Sequence, residues 1–324
     1  MPEGDTVLRT AQGLHRALAG RILTVAQLRW AELGEVDLTG REVIEVRAYG
    51  KHLLLRMGPT ATTASAAGGP MRSRGPTGPA TLHTHLRMDG SWRIHSTPDR
   101  GIPSARDHQV RAVLANAEWT AVGTLLGMLD LVPTADEHTL IGHLGPDVMA
   151  DDWDAVGRDA ALQRWAAAPT RPVGEALLDQ TTVAGIGTIY LAESLFMAKI
   201  SPWTPAGEVD AGALLDIARR LLLRGAGQPA PNTTGDPRRN EGTYVHARSG
   251  RPCRRCGTVV RVAGVRAAPT ERPAFYCPTC QVGPTPTDDG RPMAPLGSAP
   301  YRFGSRRNVG LGPPRTKSRR PRPG

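Results

Sequence analysis

The chain has 324 residues, room for about two domains with separate cores. Forty Lys/Arg against thirty Asp/Glu give a formal net charge of +10; seven of the cations and no acid lie from Gly304 onward, which leaves the preceding chain at +3. Bulk charge is thus weak evidence for a polyanionic partner, and a membrane span of roughly 20 apolar residues is excluded, since runs such as Leu53-Leu54-Leu55 are far too short.

Thr6 is expected to cap a helix reaching about Ala19, with Val7, Leu8, Ala11, Leu14 and Leu18 as its buried face. From Arg21 to about Val132 the apolar pattern shortens. Residues 22–25, 43–46, 52–56, 81–86, 91–95, 110–114 and 119–122 read as strands, for which an antiparallel β-sandwich is the natural packing. The stretch 58–80, rich in Gly, Pro, Ala, Ser and Thr, reads as a flexible insert. Helical patterns follow at 136–144, 152–167, 173–178, 188–198 and 211–223, then an open loop or linker at 225–239. The domains expected are 1–132, 133–239, a cysteine module at 244–281, and a disordered basic tail at 282–324.

All four cysteines fall in two pairs, Cys253-Arg254-Arg255-Cys256 and Cys277-Pro278-Thr279-Cys280. C-x2-C-x20-C-x2-C is zinc-site spacing, and four thiolates leave no open position for water, so one structural zinc ion is expected. The valine-rich sequence between the pairs (Val259, Val260, Val262, Val265) suits a β-hairpin. The acidic start, Met1-Pro2-Glu3-Gly4-Asp5, has neither the basic region nor the apolar core of a secretory leader. A cytoplasmic, nucleoid-associated protein with no membrane partner is expected.

Five stretches occur in order: Met1-Pro2-Glu3-Gly4-Asp5-Thr6-Val7, Gly50-Lys51-His52-Leu53, His85-Leu86-Arg87-Met88-Asp89-Gly90-Ser91, Leu178-Asp179-Gln180 through Val183-Ala184-Gly185-Ile186-Gly187, and Phe275-Tyr276-Cys277-Pro278-Thr279-Cys280-Gln281. Together they resemble the formamidopyrimidine-DNA glycosylase/endonuclease VIII family, and within it an actinobacterial endonuclease VIII-like branch. The resemblance runs from residue 1 to about Gln281, omitting the insert and the tail. It implies an α+β multidomain fold: an N-terminal antiparallel β-sandwich, a helix–two-turn–helix domain and a zinc-finger β-hairpin. It further implies a monomeric DNA glycosylase and AP lyase of base excision repair, with damaged double-stranded DNA in the cleft between domains.

Removal of the initiator would leave Pro2 as a secondary amine. An α-amino group has a pKa of about 8 against about 10.4 for lysine, so more of it is neutral and nucleophilic at pH 7. Attack on the sugar C1′ would expel the base and leave an iminium cation, an electron sink for β-elimination. The resemblance makes Glu3 the acid/base, Lys51 a phosphate contact beside the lesion, and Arg272 the hairpin-tip arginine that forks onto phosphates, with Arg266 or Arg261 as other possibilities. Met88 matches the wedge that fills the gap left by an everted nucleotide, though methionine also fills cores. Gly185 and Gly187 are expected to bring backbone N–H groups to a phosphate at a helix N-terminus, with Thr188 where the family has asparagine. Asp5 is assigned only a helix-dipole role, and Glu193 a structural one. The stretch 121–127 lacks the Arg-Phe pair of oxoguanine-specific members, which favours oxidised pyrimidines. A non-catalytic damaged-DNA-binding protein on this scaffold is the alternative; a zinc-ribbon RNA or transcription factor would leave the N-terminus unexplained.

Overall fold

The computed structural model describes residues 2–60, 75–104, 107–236, 238, 241–266 and 270–286. Helix α1 (Gly4–Leu18) starts before the expected Thr6 cap. Glu3 holds the N-cap position in extended backbone, while Thr6 lies inside the first turn with its hydroxyl on Asp5. The apolar stripe of α1 serves two cores: Val7, Ala11, Leu14 and Leu18 are buried with the strands, and Leu8 packs against the C-terminal helices. One amphipathic helix thereby joins both halves.

Nine strands follow: β1 (Arg21–Ile22), β2 (Val25–Leu28), β3 (Glu42–Tyr49), β4 (His52–Met57), β5 (Ala80–His85), β6 (Ser91–Ser96), β7 (Val110–Ala115), β8 (Trp119–Thr124) and β9 (Met128–Pro133), with a single helical turn, α2 (Thr97–Arg100), after β6. They form two antiparallel sheets, ordered β1-β3-β4-β5-β9 and β2-β7-β8-β6. Leu53, Leu55 and Met57 of β4 enter the shared core, so the alternate residues His52 and Arg56 face outward. The expected strand at 22–25 is two strands. Leu23 N–H donates to Arg41 O at 2.9 Å and Thr24 N–H to Ala115 O at 2.8 Å, which carries the chain from one sheet to the other. Strand β9 has no counterpart among the expected strands; it pairs with β5 and forms one edge of the five-stranded sheet.

Of the expected insert, residues 61–74 lie outside the described residues, and Ala80 already belongs to β5. Buried Arg41 donates to the carbonyls of Gly58, Gly78 and Pro76, pinning both ends of the insert. The helix expected at 136–144 shrinks to a 3-10 turn (Thr134–Asp136) and one turn, α3 (His138–Ile141). The next begins as a π-helical turn (Trp153–Gly157) and continues as α4 (Arg158–Ala166). Helices α5 (Val173–Leu178) and α6 (Thr188–Ala198) fall where periodicity places them, and α7 (Ala211–Ala226) runs into the expected loop.

The rest of that loop is irregular but not open. Buried Glu193 on α6 accepts the Thr233 hydroxyl and the N–H groups of Tyr244 (2.8 Å), Val245 (2.9 Å) and His246 (2.9 Å). These bonds lock the approach to the cysteine module. The module's hairpin, β10 (Arg261–Gly264) and β11 (Pro273–Tyr276), puts Val260, Val262, Val265 and Phe275 into the core of α5, α6 and α7. The start of the expected tail is also held. Val282 exchanges backbone bonds with Lys199 and Ser201 at 3.0 Å, and the Ser201 hydroxyl donates to Pro284 O. Residues 287–324 lie outside the described residues. Among the described residues no helix is long and apolar enough to cross a membrane.

Candidate active site

The N-terminus, the β3–β4 turn and the loop entering α6 meet at one point. Gly4 N–H donates to Gly185 O at 3.0 Å. Glu3, following the half-buried Pro2, is itself buried, and its carboxylate accepts from the N–H groups of Gly187 (3.0 Å), Ile189 (2.7 Å) and Tyr190 (3.3 Å). It fills the N-terminus of α6, where unpaired N–H groups and the helix dipole favour an anion. Of the N–H groups expected to face a phosphate, that of Gly187 donates to Glu3 and that of Gly185 to Gln180 Oε1 at 3.1 Å. The glycines also provide space. A Cβ on Gly187 would collide with the Glu3 carboxylate, and Gly185 adopts φ +108°. At Gly50 (φ +57°) a Cβ would stand 2.8 Å from that of Ala184.

Lys51 Nζ donates to Ile186 O at 2.7 Å. Burial pushes its pKa down to about 8; Glu3 pulls it up, and Arg266 and Arg272 push it further down. Burial raises the Glu3 carboxyl, with Lys51 and the backbone donors opposing. A carboxyl shifted upward suits proton donation. Asp5 is more than a dipole partner: buried, it accepts the Tyr190 hydroxyl at 2.7 Å and bolts α6 to α1.

Exposed Arg272 enters β11, and its carbonyl accepts from Val265 N–H at 3.0 Å. Arg266 and Arg272 both act on Lys51, whereas Arg261 pairs with Tyr276 at the cysteine end of the hairpin. Met88 is 63% exposed on the β5–β6 turn, which removes the core-filling alternative. Leu125 is exposed on the β8–β9 turn, tied alongside by Gly127 N–H to His85 O at 3.0 Å. Thr188 opens α6, and its hydroxyl has no partner among the described residues.

Motif reading gave no role to a polar chain across β9, β5 and β4. Asp130 Oδ2 lies 2.9 Å from His83 Nδ1, and His83 Nε2 lies 2.8 Å from His52 Nδ1. Burial, reinforced by His83 and His85, pushes the His52 pKa down to about 3. With Asp130 Oδ2 accepting from His83 Nδ1–H, His83 Nε2 is left to accept from His52 Nδ1–H. The motifs give Gln180 no role either. Alternation could have placed the histidines on one face, but nothing local links them to Asp130.

The thiols of Cys253, Cys256, Cys277 and Cys280 are unpaired as disulfides and lie within 4.8 Å of one another. Tetrahedral bonds of about 2.3 Å set sulfurs about 3.8 Å apart. The separations of 3.9 Å for Cys253–Cys280 and 3.5 Å for Cys256–Cys277 fit such an ion.

Residues 1–123 match the formamidopyrimidine-DNA glycosylase N-terminal domain, and residues 144–222 the formamidopyrimidine-DNA glycosylase H2TH domain. The chain is 44% identical over 296 residues to the probable endonuclease 8 2 of Streptomyces coelicolor, covering 90% of this chain and 98% of that protein. It is 36% identical over 282 residues to the DNA-(apurinic or apyrimidinic site) lyase Nei2 of Mycolicibacterium smegmatis, covering 87% and 99%. Among solved structures, the formamidopyrimidine-DNA glycosylase of Lactococcus lactis, bound non-covalently to DNA containing an AP site, matches with a TM-score of 0.65 at 21% identity, covering 86% of this chain and 99% of that one. The sequence identities settle kinship: the chain belongs to the formamidopyrimidine-DNA glycosylase/endonuclease VIII family.

Proposed function

We propose that the protein is a DNA glycosylase and AP lyase of base excision repair, with Pro2 as its nucleophile once the initiator is removed. The observation that carries this reading is the meeting of Glu3 and Lys51, distant in the sequence, beside Pro2 at the N-terminus of α6. The Pro2 nitrogen bonds to C1′ as the C1′–base bond breaks, and the base leaves with that electron pair. Glu3 gives its proton to the sugar ring oxygen as the ring opens. The Glu3 carboxylate left by that transfer takes a C2′ proton, the C–H electron pair passes into the iminium, and the resulting enamine expels the 3′ phosphate with the electrons of the C3′–O bond. Lys51 leaves the Ile186 carbonyl for a phosphate flanking the lesion, and Arg272 forks onto its neighbour. Met88 enters the stack behind the everted nucleotide, and the Thr188 hydroxyl takes a phosphate oxygen.

The four cysteines hold one structural zinc ion, which supplies no chemistry and keeps the hairpin arginines toward Lys51. The sandwich at 1–132 and the helical part at 133–239 act as the two jaws, with 244–281 as the zinc finger. The partner is damaged duplex DNA, bound by a monomer. Oxidised pyrimidines are the preferred lesions, because the β8–β9 turn offers Leu125 and no Arg-Phe pair.

Borohydride trapping on abasic duplex tests the reading. A covalent adduct forms with untagged protein and disappears with Pro2→Gly or with a tag blocking the amine. Absence of an adduct from untagged protein leaves the non-catalytic DNA-binding alternative.

A further inference from the structure

Glu3 and Lys51 grip the same peptide unit from opposite edges. The Ile186 carbonyl accepts Lys51 Nζ at 2.7 Å, and the Gly187 N–H of that same peptide donates to Glu3 at 3.0 Å. In a trans peptide these two groups point in opposite directions, so the plane fixes both side chains at once. The plane lies between buried Ile186 and Gly187, and glycine imposes little on its own φ and ψ, so on that side the backbone alone holds it weakly.

The Gln180 side chain is placed to hold it. Its Nε2 donates to Ile186 O at 3.0 Å and to Leu178 O at 3.1 Å, and its Oε1 accepts from Gly185 N–H at 3.1 Å. One amide therefore spans the loop from the end of α5 to the peptide before α6. We propose that Gln180 is a positioning residue for both Lys51 and Glu3, acting through the Ile186–Gly187 peptide. The inference rests on the reading of Lys51 and Glu3 as the working groups of the site. Sharing one carbonyl between Lys51 and Gln180 also weakens the hold on the ammonium, which leaves Lys51 ready to move to a phosphate.

The sequence contains three lysines, Lys51, Lys199 and Lys317, so the Lys51 side chain can be followed alone by NMR of lysine-labelled protein. Gln180→Met keeps the volume and removes the amide. With the Ile186 carbonyl left to the ammonium, the Lys51 titration should rise from about 8 in the wild type, by about half a pH unit or more. The single-turnover trapping rate at pH 7 should fall about tenfold, with KM for the abasic duplex little changed. Gln180→Asn, too short to reach Ile186, carries the same expectation should Gln180→Met fail to fold. An unmoved Lys51 titration overturns the proposal whatever happens to stability. A moved titration with a wild-type rate overturns it too, because the peptide would then hold the lysine without consequence. If wild-type protein forms no Pro2-dependent adduct, the catalytic reading fails, while the titration still reports whether the coupling exists.

Discussion

Gly187→Ala isolates the contact between the N-terminal carboxylate and α6. At Gly187 the backbone has φ −126° and ψ −163°, an extended conformation that alanine adopts freely, so the substitution introduces no backbone strain. What it adds is a methyl group where the Glu3 carboxylate now lies. Glu3 must retreat from Gly187 N–H at least, and also from Ile189 and Tyr190 N–H if it swings out entirely. A hydrogen bond to a charged group contributes about 1.5–3 kcal/mol, so losing one costs about 2 kcal/mol and losing all three about 6 kcal/mol. If one such bond is lost at the transition state, single-turnover trapping slows about 30-fold. Thermal unfolding and borohydride trapping on abasic duplex, run together, separate the two effects. A double-mutant cycle with Glu3→Gln adds the decisive comparison: Gly187→Ala should cost little further activity once the carboxylate is gone. Wild-type trapping by Gly187→Ala, or an equal loss in the Glu3→Gln background, would refute the argument that this glycine exists to admit Glu3.

Glu193→Ala removes the acceptor of three backbone N–H groups, that of Val245 buried and those of Tyr244 and His246 partly so; urea unfolding should show a loss of about 4 kcal/mol, and a loss under about 1 kcal/mol would deny Glu193 its anchoring role. Met88→Ala removes an exposed side chain, so the melting temperature should stay within about 2 °C while discrimination between abasic and intact duplex weakens; unchanged discrimination would count against a wedge. Chelation should unfold the cysteine module and, because its valines share the core of α6 and α7, lower helical cooperativity and abolish DNA binding; activity surviving complete zinc removal would show the module was misread. Burial works to raise the Asp179 carboxyl, but bonds from Thr181, Arg171 and Thr182 outweigh it and hold the pKa at about 2, below the ordinary 3.8. Its stabilisation is therefore present above pH 3.8 and lost as pH falls toward 2. Asp179→Asn should flatten that part of the melting curve against pH, and an unaltered acid limb would place the dependence elsewhere.

The features legible in the sequence were those with a local signature. Helix α6 follows a Gly-x-Gly turn with continuous apolar content, and the cysteine pairs announce their own geometry, so both fall where the residues indicate. The break at Leu23-Thr24 was hidden because a continuous β-favouring run looks the same whether it stays in one sheet or crosses to another. The site was half legible for a related reason. The Glu3–Gly187 bond joins residues 184 positions apart, and no periodicity spans that distance. What the sequence does mark is Gly187, a position before a helix where a side chain would obstruct something negatively charged. Phosphate and carboxylate are both oxyanions, and both satisfy the N–H groups of a helix N-terminus. The local chemistry therefore called for an anion without distinguishing one brought by a ligand from one the chain supplies itself. Only packing α1 between both cores delivers Glu3 there, and with it the α6 terminus becomes a device for holding an acid in place beside Pro2.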